Sequence, residues 1–168
     1  LQMTMNKLPK NRRLVFDRRR VVAGLSEQLQ NFADTGEYRK VLLSTLRQNL
    51  ESGRQRVKEI FQSASDGVAA ASANSFLVDQ IIRVAFDHID GEVFPSVNPT
   101  AADRLSLIAV GGFGREEMAP YSDVDLCFLH PWKLTPRGEQ VVEYLLYLLW
   151  DLGLTVGHAP RSGDDSIA

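Results

Sequence analysis

Residues 107–130 read LIAVGGFGREEMAPYSDVDLCFLH, and no other stretch limits the fold so tightly. An apolar run over 105–110, suited to a buried strand, meets two adjacent glycines, Gly111 and Gly112. A short polar excursion follows. A second apolar run, 124–129, opens on Asp123 and Asp125 and is stopped by His130 and Pro131. Strand side chains alternate, so both carboxylates share one face while Val124 and Leu126 point to the core.

Two acceptor-only groups with α-carbons about 6–7 Å apart repel each other unless a cation lies between them. Mg²⁺ is the default, a hard ion that takes one or two carboxylates plus substrate phosphates. A pair of such ions about 3.5–4 Å apart activates an attacking hydroxyl and stabilises a leaving pyrophosphate. The glycine pair lets the backbone approach a ligand closely, with N–H groups facing phosphate oxygens. A helical turn starting near Phe113 or Gly114 would add a favourable dipole, and Arg115 is placed to reach phosphate. Two other glycine motifs are absent. There is no G-x-x-x-x-G-K-[ST], and Gly112-x-Gly114 lacks the third glycine of the dinucleotide fingerprint.

The rest of the chain supplies a scaffold. Helical spacing is moderate over 17–30 and strong over 37–62, where Val41, Leu42, Leu46, Leu50, Val57 and Ile60 form a stripe and Gly53 is a weak point. Residues 63–73 read as a loop or a small-residue helix start. Residues 74–89 are helical again, ended by Asp90-Gly91. Pro95 and Pro99 mark a connector. Thr135-Pro136 opens a helix over 135–152, apolar around most of its girth and so expected to be buried. Gly153 caps it, and 154–161 reads as a third strand. Residues 1–13 read as a frayed lead-in, and 164 onward as the first turn of another helix. The chain is therefore expected to be a piece of a longer polypeptide. The order predicts an α+β fold: a helical N-terminal extension (1–100) and a catalytic core (101–168) truncated at its C-terminus.

Composition narrows the function. A net charge of -2 argues against bulk nucleic-acid binding, and the basic residues before Val21 read as a solvated arm or helix face in preference to a nucleic-acid patch. A single cysteine rules out an internal disulfide framework and fits a reducing, cytoplasmic setting. No apolar run approaches the roughly 20 residues of a membrane helix.

The glycine pair, the spacer of about ten residues and the Asp-x-Asp strand resemble the DNA polymerase beta-type nucleotidyltransferase superfamily. More narrowly, AVGGFGREEMAPYSDVDLCFL resembles the nucleotidyltransferase domain of the bacterial PII uridylyltransferases, which also carry a uridylyl-removing activity. YLLWDLGLTVGHAPRS, including Trp150-Asp151-Leu152-Gly153 and Gly157-His158, resembles the segment after that family's catalytic strand. The resemblance is specific over 105–162. It implies a polymerase beta-like core, a small mixed sheet with flanking helices. It implies UMP transfer from UTP to a tyrosine hydroxyl of the PII signal protein, with Mg²⁺ or Mn²⁺. It also implies hydrolase and glutamine-sensing domains outside these residues. Gly111 and Gly112 match the phosphate-facing pair, Asp123 and Asp125 the metal carboxylates, and Arg115 and Ser122 recurrent motif positions. Glu116 stands where a glycine is expected. The superfamily's usual third carboxylate has no counterpart in 154–161, and Asp164 and Asp165 lie beyond Gly163.

Plainer roles exist for each residue. The aspartates could be turn or cap residues, the glycines a tight turn and Arg115 a surface ion-pair partner. Ser122 reads as a local hydrogen bonder, Cys127 as a packing residue on the aspartates' strand face and Trp150 as core. His158 reads equally as a nucleotide contact or a loop-ordering residue. Two other functions compete: a transferase acting on another target, such as a glutamine synthetase adenylyltransferase, and a non-catalytic nucleotide-sensing domain. The second gains little from two repelling carboxylates.

Overall fold

In the structure, a computed structural model, residues 12–30, 35–96 and 100–162 are described. The residues at 1–11, 31–34 and 97–99, and Asp164 and Asp165, fall outside them.

Among the described residues, three α-helices precede the sheet. Asp17 caps α1 (Arg18–Leu29), its carboxylate accepting the Arg20 N–H at 3.2 Å. The long amphipathic pattern forms α2 (Thr35–Ala64), which buries Leu42, Leu46, Leu50 and Val57 along one stripe. The 63–73 segment is resolved in favour of a helix start: α3 runs Gly67–His88. Asp66 sets that start by accepting the N–H groups of Val68 and Ala69 at 3.0 and 3.1 Å. The alanines that follow are strong helix formers, which is why α3 begins before its bulky apolar residues do.

The far end of α3 also differs from expectation. The chain continues beyond His88 as a π turn, Ile89–Val93, so Asp90-Gly91 lies inside a helical segment. Arg137 holds this turn, donating from Nη2 to the Asp90 carbonyl and carboxylate at 2.8 and 2.7 Å and from Nε to the Phe94 carbonyl at 2.7 Å.

The sheet has three strands in the order β1-β2-β3: β1 (Ser106–Ala109), β2 (Val124–His130) and β3 (Val156–Ser162). β1 pairs antiparallel with β2, from Ser106↔Leu129 to Ala109↔Leu126. β2 pairs parallel with β3, from Val124↔Val156 to His130↔Ser162. Between β1 and β2 lies a single helical turn, α4 (Gly111–Gly114); α5 (Pro136–Asp151) makes the crossover that parallel strands require. Thr135 caps α5 by accepting the Gly138 N–H at 3.1 Å, and Gly153, at φ +77°, turns the chain toward β3.

This is the expected α+β class, a small mixed sheet with flanking helices. Two burial expectations are corrected. Among the described residues β1 is an edge strand, and exposed Ser106 and Ile108 alternate with half-buried Leu107 and Ala109 because only the latter face packs on the core. α5 buries Val141, Leu145, Leu148 and Leu149 but leaves Tyr147 and Trp150 about half exposed, so Trp150 is not a core residue. One hydrophobic cluster joins α1, α2, α3, β2 and α5. Each fully buried leucine in it contributes roughly 2–5 kcal/mol against truncation to alanine. No described helix is long and apolar enough to cross a membrane.

Candidate active site

β2 is the central strand, and its deepest residues are Val124, Leu126 and Phe128. Alternation then turns Asp125 to the opposite face, where it is half-buried. Asp123 sits one residue before the strand, exposed, not within it as the pattern suggested. Its neighbour Val124 is anchored, its N–H bonding to the Thr155 carbonyl at 2.8 Å.

Two glycines from different elements flank the Asp125 carboxylate. Gly111 opens α4 at φ +60°, a left-handed conformation that glycine adopts without steric cost. A Cβ there would stand 2.6 Å from Asp125 Oδ2. Gly157 pairs with Asp125 across the parallel register, and a Cβ there would stand 2.9 Å from Oδ1. Both carboxylate oxygens therefore occupy space that only glycine leaves open. Among the described residues, neither Asp125 nor Asp123 accepts a side-chain hydrogen bond or forms an ion pair. Two anionic oxygen donors without protein cations suit a hard divalent ion such as Mg²⁺, and Asp123 and Asp125 are the residues that could hold it. The described residues contain no group of three or more metal-ligating side chains.

The glycine turn lies beside Asp125. α4 begins at Gly111 itself, two residues before the expected start, and the first amides of such a turn have no carbonyl within it to bond. The Gly114 N–H closes the turn on the Val110 carbonyl at 2.9 Å, and the Val110 N–H bonds the Asp125 carbonyl at 3.1 Å. This ties the turn to the acidic strand. The Arg115 guanidinium lies 4.0 Å from the Cβ position of Gly112 and pairs with Glu117 at 3.1 Å. That pair is well exposed, a class worth roughly 0–1 kcal/mol, so a phosphate competes with it readily. Glu116 takes φ +60°, which is the physical reason a glycine suits that position.

The remaining candidates separate. Ser122 is exposed at the end of a turn, its N–H bonding the Ala119 carbonyl at 3.1 Å. Cys127 is a buried free thiol. His158 pairs with Leu126 and packs its ring edge-on to Phe128, with centroids 6.5 Å apart, on the α5 side of the sheet and not beside Asp125. Reading by residue type passed over the role of Gly157, although its place one residue into the strand opposite Asp-x-Asp was a usable signal. It also missed Asn74 and Ser75, polar residues buried on an otherwise apolar helix face.

Comparison with known proteins follows the same lines. Residues 98–163 match the family described as nucleotidyltransferase domain. The bifunctional uridylyltransferase/uridylyl-removing enzyme of Azospirillum brasilense is 43% identical over 157 residues, covering 94% of this chain and 17% of its own length. That of Rhodospirillum rubrum is 46% identical over 156 residues, 92% of this chain and 17% of its own. That of Erythrobacter litoralis is 41% identical over 166 residues, 98% and 18%. The chain thus spans less than a fifth of the length of these relatives. No solved structure matches it.

Proposed function

We propose, from the premise that residues 98–163 belong to the nucleotidyltransferase domain family, that the chain is the transferase module of a longer PII uridylyltransferase. In this reading it moves UMP from UTP to a tyrosine hydroxyl of the PII signal protein, in the cytoplasm. The observation that carries the chemistry is the Asp125 carboxylate, flanked by Gly111 and Gly157, with Asp123 two residues earlier in the chain, just before the strand. The choice of uridylyl over adenylyl transfer is supported by the names of the relatives and not by a residue that reads the base.

In the proposed reaction the tyrosine oxygen bonds to the α-phosphorus of UTP. The bond to the bridging oxygen breaks, pyrophosphate leaves, and the hydroxyl proton passes to solvent. Asp123 and Asp125 would hold Mg²⁺ or Mn²⁺, which when bound supplies charge neutralisation at the reacting phosphate. The open backbone at Gly111 and Gly112 admits the triphosphate closely. Arg115 exchanges its weak pairing with Glu117 for a charge-assisted contact to phosphate, and Ser122 offers a hydroxyl at the mouth.

The test offers UTP, ATP, CTP and GTP separately, with Mg²⁺ and a PII protein, to the full-length enzyme. Intact-protein mass spectrometry then reads what PII gains. UMP is expected, lost in Asp123→Ala and Asp125→Ala while circular dichroism stays that of the parent. Addition of AMP instead, or full activity in both variants, sinks the reading.

A further inference from the structure

The face of α3 that meets the rest of the molecule is built from alanine, leucine, valine and isoleucine, yet it buries Asn74 and Ser75, each 2% exposed. A buried amide or hydroxyl is costly unless bonded. Both bond the backbone leading into the acidic pair. Asn74 Nδ2 donates to the carbonyls of Met118 and Ala119 at 3.1 and 3.2 Å. Ser75 Oγ donates to the Ala71 carbonyl at 3.0 Å, which turns its lone pairs outward to accept the Met118 N–H, also at 3.0 Å. Two side chains thereby satisfy three backbone groups on two successive residues of one loop.

That loop leads directly to Asp123. The Ala119 carbonyl taken by Asn74 also accepts the Ser122 N–H at 3.1 Å. This closes a four-residue turn with Pro120 second and Tyr121 third. Tyr121 has φ +67°, the conformation a type II turn demands at its third place and one an aromatic residue resists. Pro120 favours the turn, and the Arg54 guanidinium lies over the Tyr121 ring, 5.2 Å from its centroid. Immediately after Asp123, Val124 is pinned to Thr155. Asp123 therefore hangs between an anchor on α3 and an anchor on the sheet, whereas Asp125 is fixed by the sheet alone.

We infer that Asn74 and Ser75 are positioning residues for the acidic pair. By holding Met118 and Ala119 they keep the strained Ala119–Ser122 turn closed, and so fix Asp123 relative to Asp125. They lie outside the residues matched by the nucleotidyltransferase family, so α3 completes the site from the helical side. The inference rests on the reading of Asp123 and Asp125 as metal ligands.

The test uses the full-length enzyme with Asn74→Ala, Ser75→Ala and the hydroxyl-preserving Ser75→Thr. Leu77→Val on the same helix, facing α2 at Gly53, is the control for general loss of packing. Hydrogen exchange without metal or nucleotide is read first. The Met118 and Ser122 amides should exchange at least tenfold faster in both alanine variants, with β2 protection kept, and at the parent rate in Ser75→Thr. The Mn²⁺ concentration giving half of the maximal thermal shift should rise ten- to hundredfold in the same two variants. The catalytic rate should fall comparably, with the nucleotide KM within twofold of the parent. Ser75→Ala decides if Asn74→Ala does not fold. Parent-like exchange and metal response in the alanine variants overturn the inference, as does an equal change in Leu77→Val. If these responses appear but the parent transfers no nucleotide, the functional reading fails and the positioning role stands.

Discussion

Gly157→Ala tests the site at its narrowest point. The substitution adds one methyl group, and the residue needs no left-handed backbone, so conformational strain does not enter. The added Cβ would meet Asp125 Oδ1 at 2.9 Å, and ordinary contact begins near 3.4 Å, so the carboxylate must move by about 0.5 Å. Space is open to it on the opposite side, where the missing Cβ of Gly111 would stand 2.6 Å from Oδ2. Misplacing a reacting group by 1 Å costs about a hundredfold in rate. Half that displacement should cost about tenfold, or about 1.4 kcal/mol. Stability should hardly change, because alanine in a strand recovers roughly 0.5–1 kcal/mol relative to glycine and this offsets the crowding. Gly111→Ala should do worse, adding about 1–2 kcal/mol of left-handed strain. The double variant closes both sides, so its loss should exceed the product of the single losses. Transfer rate at saturating metal, measured beside a thermal melt, decides. A parent-like rate in Gly157→Ala, or a double variant equal to the product of the singles, would refute the argument that both glycines serve one carboxylate.

Three further outcomes follow from the packing. Gly53→Ala gains about 1 kcal/mol in helix propensity, but its Cβ would overlap Leu77 Cδ1 in a fully buried contact. Overpacking costs about 1–3 kcal/mol, so chemical denaturation should show a net loss of stability. Glu116→Gly relieves a side-chain residue at φ +60° and should raise stability by about 0.5–1 kcal/mol after the entropy of the added glycine, seen as a higher melting temperature. Burial holds the His88 pKa below its usual 6.5 against the opposing charges of Glu92 and Asp87, and Tyr38, whose own pKa burial pushes up to about 12, shares a 3.2 Å hydrogen bond with its Nδ1. The unfolded chain therefore takes up the proton first. The contribution of neutral His88 is complete above pH 6.5 and is lost as pH falls toward the folded-state pKa. His88→Gln should flatten the fall in melting temperature between pH 7 and pH 5.

Periodicity carried most of the fold because it reports which side chains meet the core. The stripe Leu42, Leu46, Leu50 and Val57 and the run Val124, Leu126 and Phe128 were legible for that reason. It failed where a partner elsewhere in the chain decides the outcome. β1 looked like a buried strand because its residues are apolar, but composition does not say that, among the described residues, nothing pairs with its second edge. Gly53 looked like a flaw in α2 because propensity is local, whereas the glycine is where Leu77 of α3 approaches the helix axis.

The site divides on the same principle. Asp123, Asp125, Gly111 and Gly112 stand within one short stretch, so they were legible as a motif, and the pairing of β1 with β2 sets Gly111 against Asp125. Gly157 reaches Asp125 only through the parallel register of β2 and β3, and Asn74 reaches Ala119 only through the packing of α3 against the loop. Both are small residues whose effect lies in what they allow or hold, and a sequence scan for acids, bases and ligands passes over them. The consequence is specific. A core cut at residue 101 would retain every acid and glycine of the motif. It would lose the two side chains that hold the turn before Asp123, whose third residue sits at φ +67°. Nothing else described bonds the backbone of Met118 or the carbonyl of Ala119 from outside the turn. Its acidic pair would keep Asp125 on the strand and leave Asp123 with one anchor, at Val124. On the proposed function, the helices before residue 100 support the acidic pair, and separating them from the core should cost metal affinity before it costs the fold of the sheet.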